Sequence, residues 1–137
     1  MTTPKAVIRR YTDAGYNENN PAVIEEAVTD DVVVHGLPGI EDTVRGVDAY
    51  LDWAGDLMKA IPDADVEIES LLSEDDMVAV HWTMSGTMED DLGDIPATGE
   101  TFDVRALAIF RIEDGQIAEK WYNADEVGMM EQLGLRD

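Results

Sequence analysis

The stretch TFDVRALAIFRIEDGQIAEKWYNAD, residues 101–125, decides the fold. Thr101–Ile112 is rich in apolar, aromatic and β-branched residues. Glu113-Asp114-Gly115 follows as a hairpin loop whose Asp-Gly pair accepts positive backbone angles, and Gln116–Asp125 returns as the partner strand. Upstream, Met77–Met88 reads as a further strand. Its even row Val78, Val80, Trp82, Met84, Gly86 and Met88 is apolar and predicted to face the core, and its odd row, with His81, is more polar. Ser73–Asp76 is the hairpin loop before it, reached from an alternating run that begins at Asp65 and carries Val66, Ile68, Ser70 and Leu72. Glu89–Glu100, rich in Asp, Gly and Pro, is too long for a tight turn and is expected to form a mobile lid or rim loop.

The first sixty residues have the other period. Thr3-Pro4 is a helix start that runs to about Gly15, Asn20-Pro21 restarts a short helix to Val28, and Val32–His35 is a brief strand closed by Gly36, Pro38 and Gly39. After Gly46, the residues Tyr50, Trp53, Ala54, Leu57 and Ile61 recur at helical spacing for about 14 residues until Pro62. A last helix spans Glu126–Leu133 and is stopped by Gly134. Helices first and a meander afterwards predict α+β, one domain over residues 1–137, with the helices segregated on one face of a bent antiparallel sheet.

Composition narrows the chemistry. Among 137 residues, 31 Asp plus Glu against 9 Lys plus Arg give a net charge of −22, and there is no Cys and only His35 and His81. Thiolate chemistry and multi-histidine metal sites are excluded, so no metal is expected. A polyanion is a poor partner for nucleic acid or an anionic membrane. No apolar run approaches the ~20 residues of a membrane span and the N-terminus has no signal-peptide stretch, so a cytoplasmic protein is expected. The acids are dispersed and Lys is scarce, a pattern suited to a salt-rich cytoplasm in which self-repulsion is screened. An ordinary acidic protein is the alternative.

The candidate site residues follow from side-chain rows. On Gln116–Asp125 the odd row is Ile117, Glu119, Trp121, Asn123 and Asp125. If it lines the interior, Asp125 ends an apolar wall where desolvation favours a carboxyl that gives and takes protons. Asp125 also immediately precedes a helix, where Asp is a favoured N-cap. His35 lies at the pocket edge, able to polarise a carbonyl or to bond backbone. Tyr11, Tyr16, Trp53 and Met58 sit on apolar helix faces, as core residues or cavity lining. Thr101–Ile112 is apolar on both faces, which predicts a covering second subunit and hence a homodimer or larger assembly.

Glu119-Lys120-Trp121, Asp125, Gly128 and Gln132-Leu133-Gly134 together resemble the C-terminal motif of the SnoaL-like polyketide cyclase, or ester cyclase, family. Ser85-Gly86-Thr87, Ile95–Gly99 and Phe110–Ile117 resemble its central segments in the same order. The resemblance implies the cone-shaped α+β barrel of the nuclear-transport-factor-two-like superfamily, with N-terminal helices closing a pocket. It further implies acid/base chemistry, without metal or cofactor, from an aspartate at the position of Asp125. One departure is Met88, where the family often has histidine, which leaves His35 as the candidate partner of Asp125. The expected function is cofactor-independent aldol cyclisation, isomerisation or hydrolysis of a small hydrophobic carbonyl compound. Asp125 and His35 are its catalytic candidates, and Trp121, Asn123, Met88, Trp82, Tyr11 and Trp53 its binding wall. The alternative is a non-catalytic binder or dimeric scaffold of the same fold.

Overall fold

The computed structural model describes residues 3–136. Helix α1 (Pro4–Arg10) is capped by Thr3, whose hydroxyl accepts from the Ala6 amide, and it passes directly into a π-helical segment, Tyr11–Tyr16. This widened stretch was not foreseen as such. It turns Tyr11, Thr12 and Gly15 into the interior together. Helix α2 (Pro21–Ala27) starts at the expected Asn20-Pro21 step, with the Asn20 side chain as its cap, and strand β1 (Val28–His35) is longer than the expected Val32–His35. A two-residue strand, β2 (Val44–Arg45), precedes α3 (Val47–Ala60), whose 14 residues match the expected helix. Strands β3 (Asp65–Glu74), β4 (Met77–Thr87), β5 (Thr101–Glu113) and β6 (Gln116–Ala124) form the meander, and α4 (Glu126–Gln132) ends the described chain.

The six strands lie in the order β2-β1-β6-β5-β4-β3. The α+β class and helix-covered sheet are as expected, with one correction: the sheet is mixed, because β1 runs parallel to β6 while every other pairing is antiparallel. The β1–β6 pairing joins strands separated by the whole meander, and the intervening helix and strands supply the long connection that a parallel pair requires.

The core lies between the helices and one sheet face. The even row of β4 is buried as predicted, and the even residues of β5, Phe102 to Ile112, are buried opposite it. Tyr11, Tyr50, Ile8, Ile24 and Ile61 close over this face from the helices. Met88–Glu100 is tied at its neck by the Met88 and Gly99 amides, bonded to the Glu100 and Met88 carbonyls, and pinned by buried Leu92 and Ile95. It is a rim loop. At its tip Gly93 (φ 56°) packs backbone to backbone on Gly39 (φ 85°), so closely that a Cβ on either would collide with the other segment. The Asp94 amide donates to the Gly39 carbonyl there, so the rim loop closes one end of the cone.

A bulge in β6 decides which of its side chains face inward. On β6, Ile112 pairs with Ile117 but Arg111 pairs with Glu119, leaving Ala118 as an extra residue. A one-residue slip exchanges the faces of everything beyond it. Ile117 and Ala118 are both buried, and thereafter Lys120, Tyr122 and Ala124 point into the cone. This corrects the expectation that the odd row of β6 lines the interior.

Candidate functional site

The helices and the concave sheet face enclose a cavity of about 40 Å³ lined by Thr12, Tyr16, Pro38, Trp53, Leu57, Val66, Trp82, Met84, Lys120 and Tyr122. That is a small space, well below the ~300–1,000 Å³ of an ordinary ligand pocket. Each wall has its own source. The π-helical segment contributes Thr12 and Tyr16, α3 contributes Trp53 and Leu57, β4 contributes Trp82 and Met84, and the bulge in β6 contributes Lys120 and Tyr122. Trp53 is held in place by its indole N–H, which donates to the Pro38 carbonyl at 3.1 Å.

Lys120 is the only charged residue fully buried among those described. No ion pair reaches it among the described residues, and its Nζ donates to the Tyr11 hydroxyl at 3.1 Å. Six aromatic rings surround the amine, with centroids 4.9 Å (Tyr122) to 5.9 Å (Tyr50) away. Burial without a countercharge disfavours the cation and lowers the Lys120 pKa to about 7. The hydroxyls of Tyr11 and Tyr16 each bond that of Tyr50. Burial raises all the surrounding phenols: Tyr50 to about 12, and Tyr11, Tyr16 and Tyr122 well above the ordinary value. They therefore stay protonated donors at neutral pH. Trp82 Nε1 and Thr12 Oγ1 belong to two residues of the cavity wall and are buried without a hydrogen-bond partner. Buried unpaired polar atoms of this kind are rare. Both are packed behind the wall and do not open on the cavity.

The expected site residues divide between the two faces of the sheet. Trp82 and Trp53 line the cavity, and Tyr11, fully buried, anchors the amine. Met88 is fully buried in the core but is not part of the lining. The others lie outside. Asp125 is exposed and caps α4, its Oδ1 accepting from the Gly128 amide at 2.9 Å, which corrects its expected enclosure. Asn123 is exposed on the outer face in a shallow groove with His81, Arg105 and Leu107. Trp121, 38% exposed, stacks on His35 rather than walling the pocket, and His35 Nε2 pairs with Glu119 at 2.7 Å. The physical reason is the same for all of them: the Ala118 bulge turns the odd row of β6 outward, and β1 pairs His35 with Trp121 on that side. Sequence reasoning missed Lys120 and Tyr122. The signal that was available is a lone lysine in an alternating row with Ala118, Tyr122 and Ala124, in a chain with only three lysines.

The model of the SnoaL-like polyketide cyclase family matches residues 5–133. Among solved structures, TsrD from Streptomyces laurentii is 27% identical, with a TM-score of 0.82 over 94% of this chain and 92% of that one. A SnoaL-like polyketide cyclase from Agrobacterium tumefaciens is 25% identical, with a TM-score of 0.81 over 98% and 100%. IdmH from Streptomyces antibioticus is 25% identical, with a TM-score of 0.80 over 96% and 99%. No curated protein matches. The family match spans nearly the whole chain and the structural similarities cover 94–98% of it, so this chain belongs to the SnoaL-like polyketide cyclase family.

Proposed function

We propose that this protein carries out cofactor-independent acid/base chemistry on a small apolar carbonyl compound held in the aromatic cavity, with Lys120 and its tyrosines as the working groups. The observation that carries this reading is a buried amine without an ionic partner, caged by aromatic rings in the wall of a largely apolar cavity. A titratable group strongly shifted by desolvation inside a cleft is where proton transfer near neutral pH is most effective. The tyrosine hydroxyls offset charge developing on the carbonyl oxygen, and the neutral Lys120 amine takes the adjacent C–H proton. The cavity volume supports a small substrate, well below a multi-ring polyketide. The acid/base role that the family resemblance suggests for Asp125 passes to Lys120 in this reading, because the Asp125 carboxylate lies outside the cone.

Exchange of the α-protons of butanone in deuterated buffer, followed by NMR, tests it. The wild-type protein accelerates exchange, Lys120→Met reduces that acceleration at least ~100-fold, and Asp125→Asn leaves it intact. Butanone that binds without exchange favours the non-catalytic binder instead.

The outer face supports self-association as a homodimer. Leu107 (60% exposed), Ile109 (45%) and Trp121 form an exposed apolar strip across β5 and β6. Arg105, Arg111 and His81 share this face with Asp103, Glu113 and Glu119, so charges of both signs border the strip.

A further inference from the structure

We propose that Lys120 is a covalent capture site, its amine condensing with a small ketone or aldehyde in the aromatic cavity to give an iminium linkage. The inference rests on the reading of the cavity as a carbonyl site and adds a bond to it. Two arrangements support it. Lys120 is part of the cavity wall and its amine has a single hydrogen-bond partner, the Tyr11 hydroxyl at 3.1 Å, with no carboxylate holding it as an ion. Around the amine stand six rings whose faces favour a delocalised, poorly hydrated cation.

The chemistry balances without a co-reactant. The nitrogen lone pair of neutral Lys120 attacks the carbonyl carbon, and the C–O π pair moves onto oxygen, which takes a proton from the hydrogen-bonded phenols. Nitrogen then loses one proton back to that network. Its lone pair forms the C=N bond while the C–O bond breaks, and the hydroxyl leaves as water after taking up the proton that the ammonium form of Lys120 released on becoming neutral. In sum, one carbonyl and one alkylammonium give one iminium and one water, so the cage holds a single positive charge before and after. The iminium draws electrons from the neighbouring C–H bonds, which is the role a low-pKa lysine serves in covalent catalysis.

The groups facing the amine are phenols on every side that carries a titratable residue: Tyr11 and Tyr16 from the π-helical segment, Tyr50 from α3 and Tyr122 from β6. Glu126 acts only on Tyr122, raising it further. None of them is an acid strong enough to keep the lysine protonated. At pH 7 the neutral fraction of Lys120 exceeds that of an ordinary lysine by ~1000-fold. The other described lysines, Lys5 and Lys59, are exposed, and Lys59 pairs with Asp90.

The test is reductive trapping of the intact protein. Wild-type protein is incubated at pH 7 with butanone and sodium cyanoborohydride, digested and mapped by mass spectrometry. In parallel the Trp82 indole N–H resonance is followed with butanone alone. The expected result is an alkylated Lys120 formed at least ~10-fold faster than adducts on Lys5, Lys59 or the terminal amine, with a rate that rises through about pH 7. A Trp82 resonance that titrates to saturation while Lys120 stays unmodified overturns the covalent step and leaves the carbonyl-binding reading standing. A resonance that does not move, with label only on exposed amines, overturns both.

Discussion

The two faces of strand β6 carry residues of similar type in opposite settings. Inward stand Lys120, Tyr122 and Ala124; outward stand Glu119, Trp121, Asn123 and, just beyond the strand, Asp125. Inside, a cation has no ionic partner and is surrounded by rings, so its protonation is decided by desolvation. Outside, Glu119 pairs with His35 and lies 3.7 Å from Arg111, with a quarter of its side chain in solvent. Such half-exposed pairs are screened by water and contribute little. In the proposed reading, a charged residue becomes reactive here through what it lacks, a partner and water, rather than through its identity. In a chain with 31 carboxylates, the candidate catalyst is a lysine.

The largest effect expected from this contrast is on catalysis. Lys120→Met removes α-proton exchange of butanone by ~100-fold or more, while Trp121→Ala on the opposite side of the same strand leaves it unchanged. Equal losses from both variants would erase the distinction between the faces.

The second effect is on stability, and its sign follows from proton counts. Folding lowers the Lys120 pKa to about 7 from an unfolded value near ~10.4. Below pH 7 both states hold the proton and the folded state bears the full burial cost. Between about pH 7 and pH 10 only the unfolded chain holds it, so stability rises by ~1.4 kcal/mol per pH unit. Above pH 10 the raised tyrosines reverse the slope, since unfolded phenols ionise while buried ones do not. Urea unfolding of wild type and Lys120→Met across pH 6–9.5 isolates the term. The variant is the more stable at pH 6 and its advantage shrinks as pH rises; a constant difference would mean that Lys120 keeps its ordinary proton.

The outer face answers to different variables. Leu107→Glu places a charge in the apolar strip and is expected to convert a dimer to a monomer in sedimentation experiments without loss of fold. Salt should act on the same surface. Every described carboxylate is at least partly exposed, and raising salt from 0.1 M to 1 M shortens the Debye length from about 10 Å to about 3 Å. The melting temperature should therefore climb with potassium chloride. A melting temperature indifferent to salt would make the acidity an ordinary surface property.

Much of this architecture was legible because local signals agreed. Thr3-Pro4 and Asn20-Pro21 marked helix starts, the helical spacing from Tyr50 to Ile61 marked α3, and the Asp-Gly turn marked the β5–β6 hairpin. Side-chain direction was less legible wherever a strand gains a residue. In β3 the register shifts between Ile68 and Ser70, so Leu71 turns inward and Leu72, expected to continue the row of Val66 and Ile68, is 68% exposed. In β6 the extra Ala118 does the same, and it exchanges the candidate site from Asp125 to Lys120. Neither bulge has a Gly or Pro to announce it. Alternation carries no memory of an insertion, and only the partner strand reveals one. The family resemblance located the fold correctly because motifs survive such slips.

The smallest effect concerns Asp125 itself. Its carboxylate caps α4 by accepting from the Gly128 amide, and Gly128 leaves no room for more, since a Cβ there would lie 2.3 Å from Asp125 Oδ2. An exposed cap of this kind stabilises by ~1 kcal/mol. Asp125→Ala is therefore expected to lower unfolding free energy by about that amount, and Asp125→Asn, which keeps an accepting oxygen, by less. Neither should alter butanone exchange or the trapping of Lys120. The pair is informative because a buried catalytic carboxylate would behave in the opposite way: Asn would abolish turnover while barely touching stability. A variant protein that unfolds normally but exchanges no protons would return the chemistry to the outer end of β6 and leave the lysine cage as a structural core.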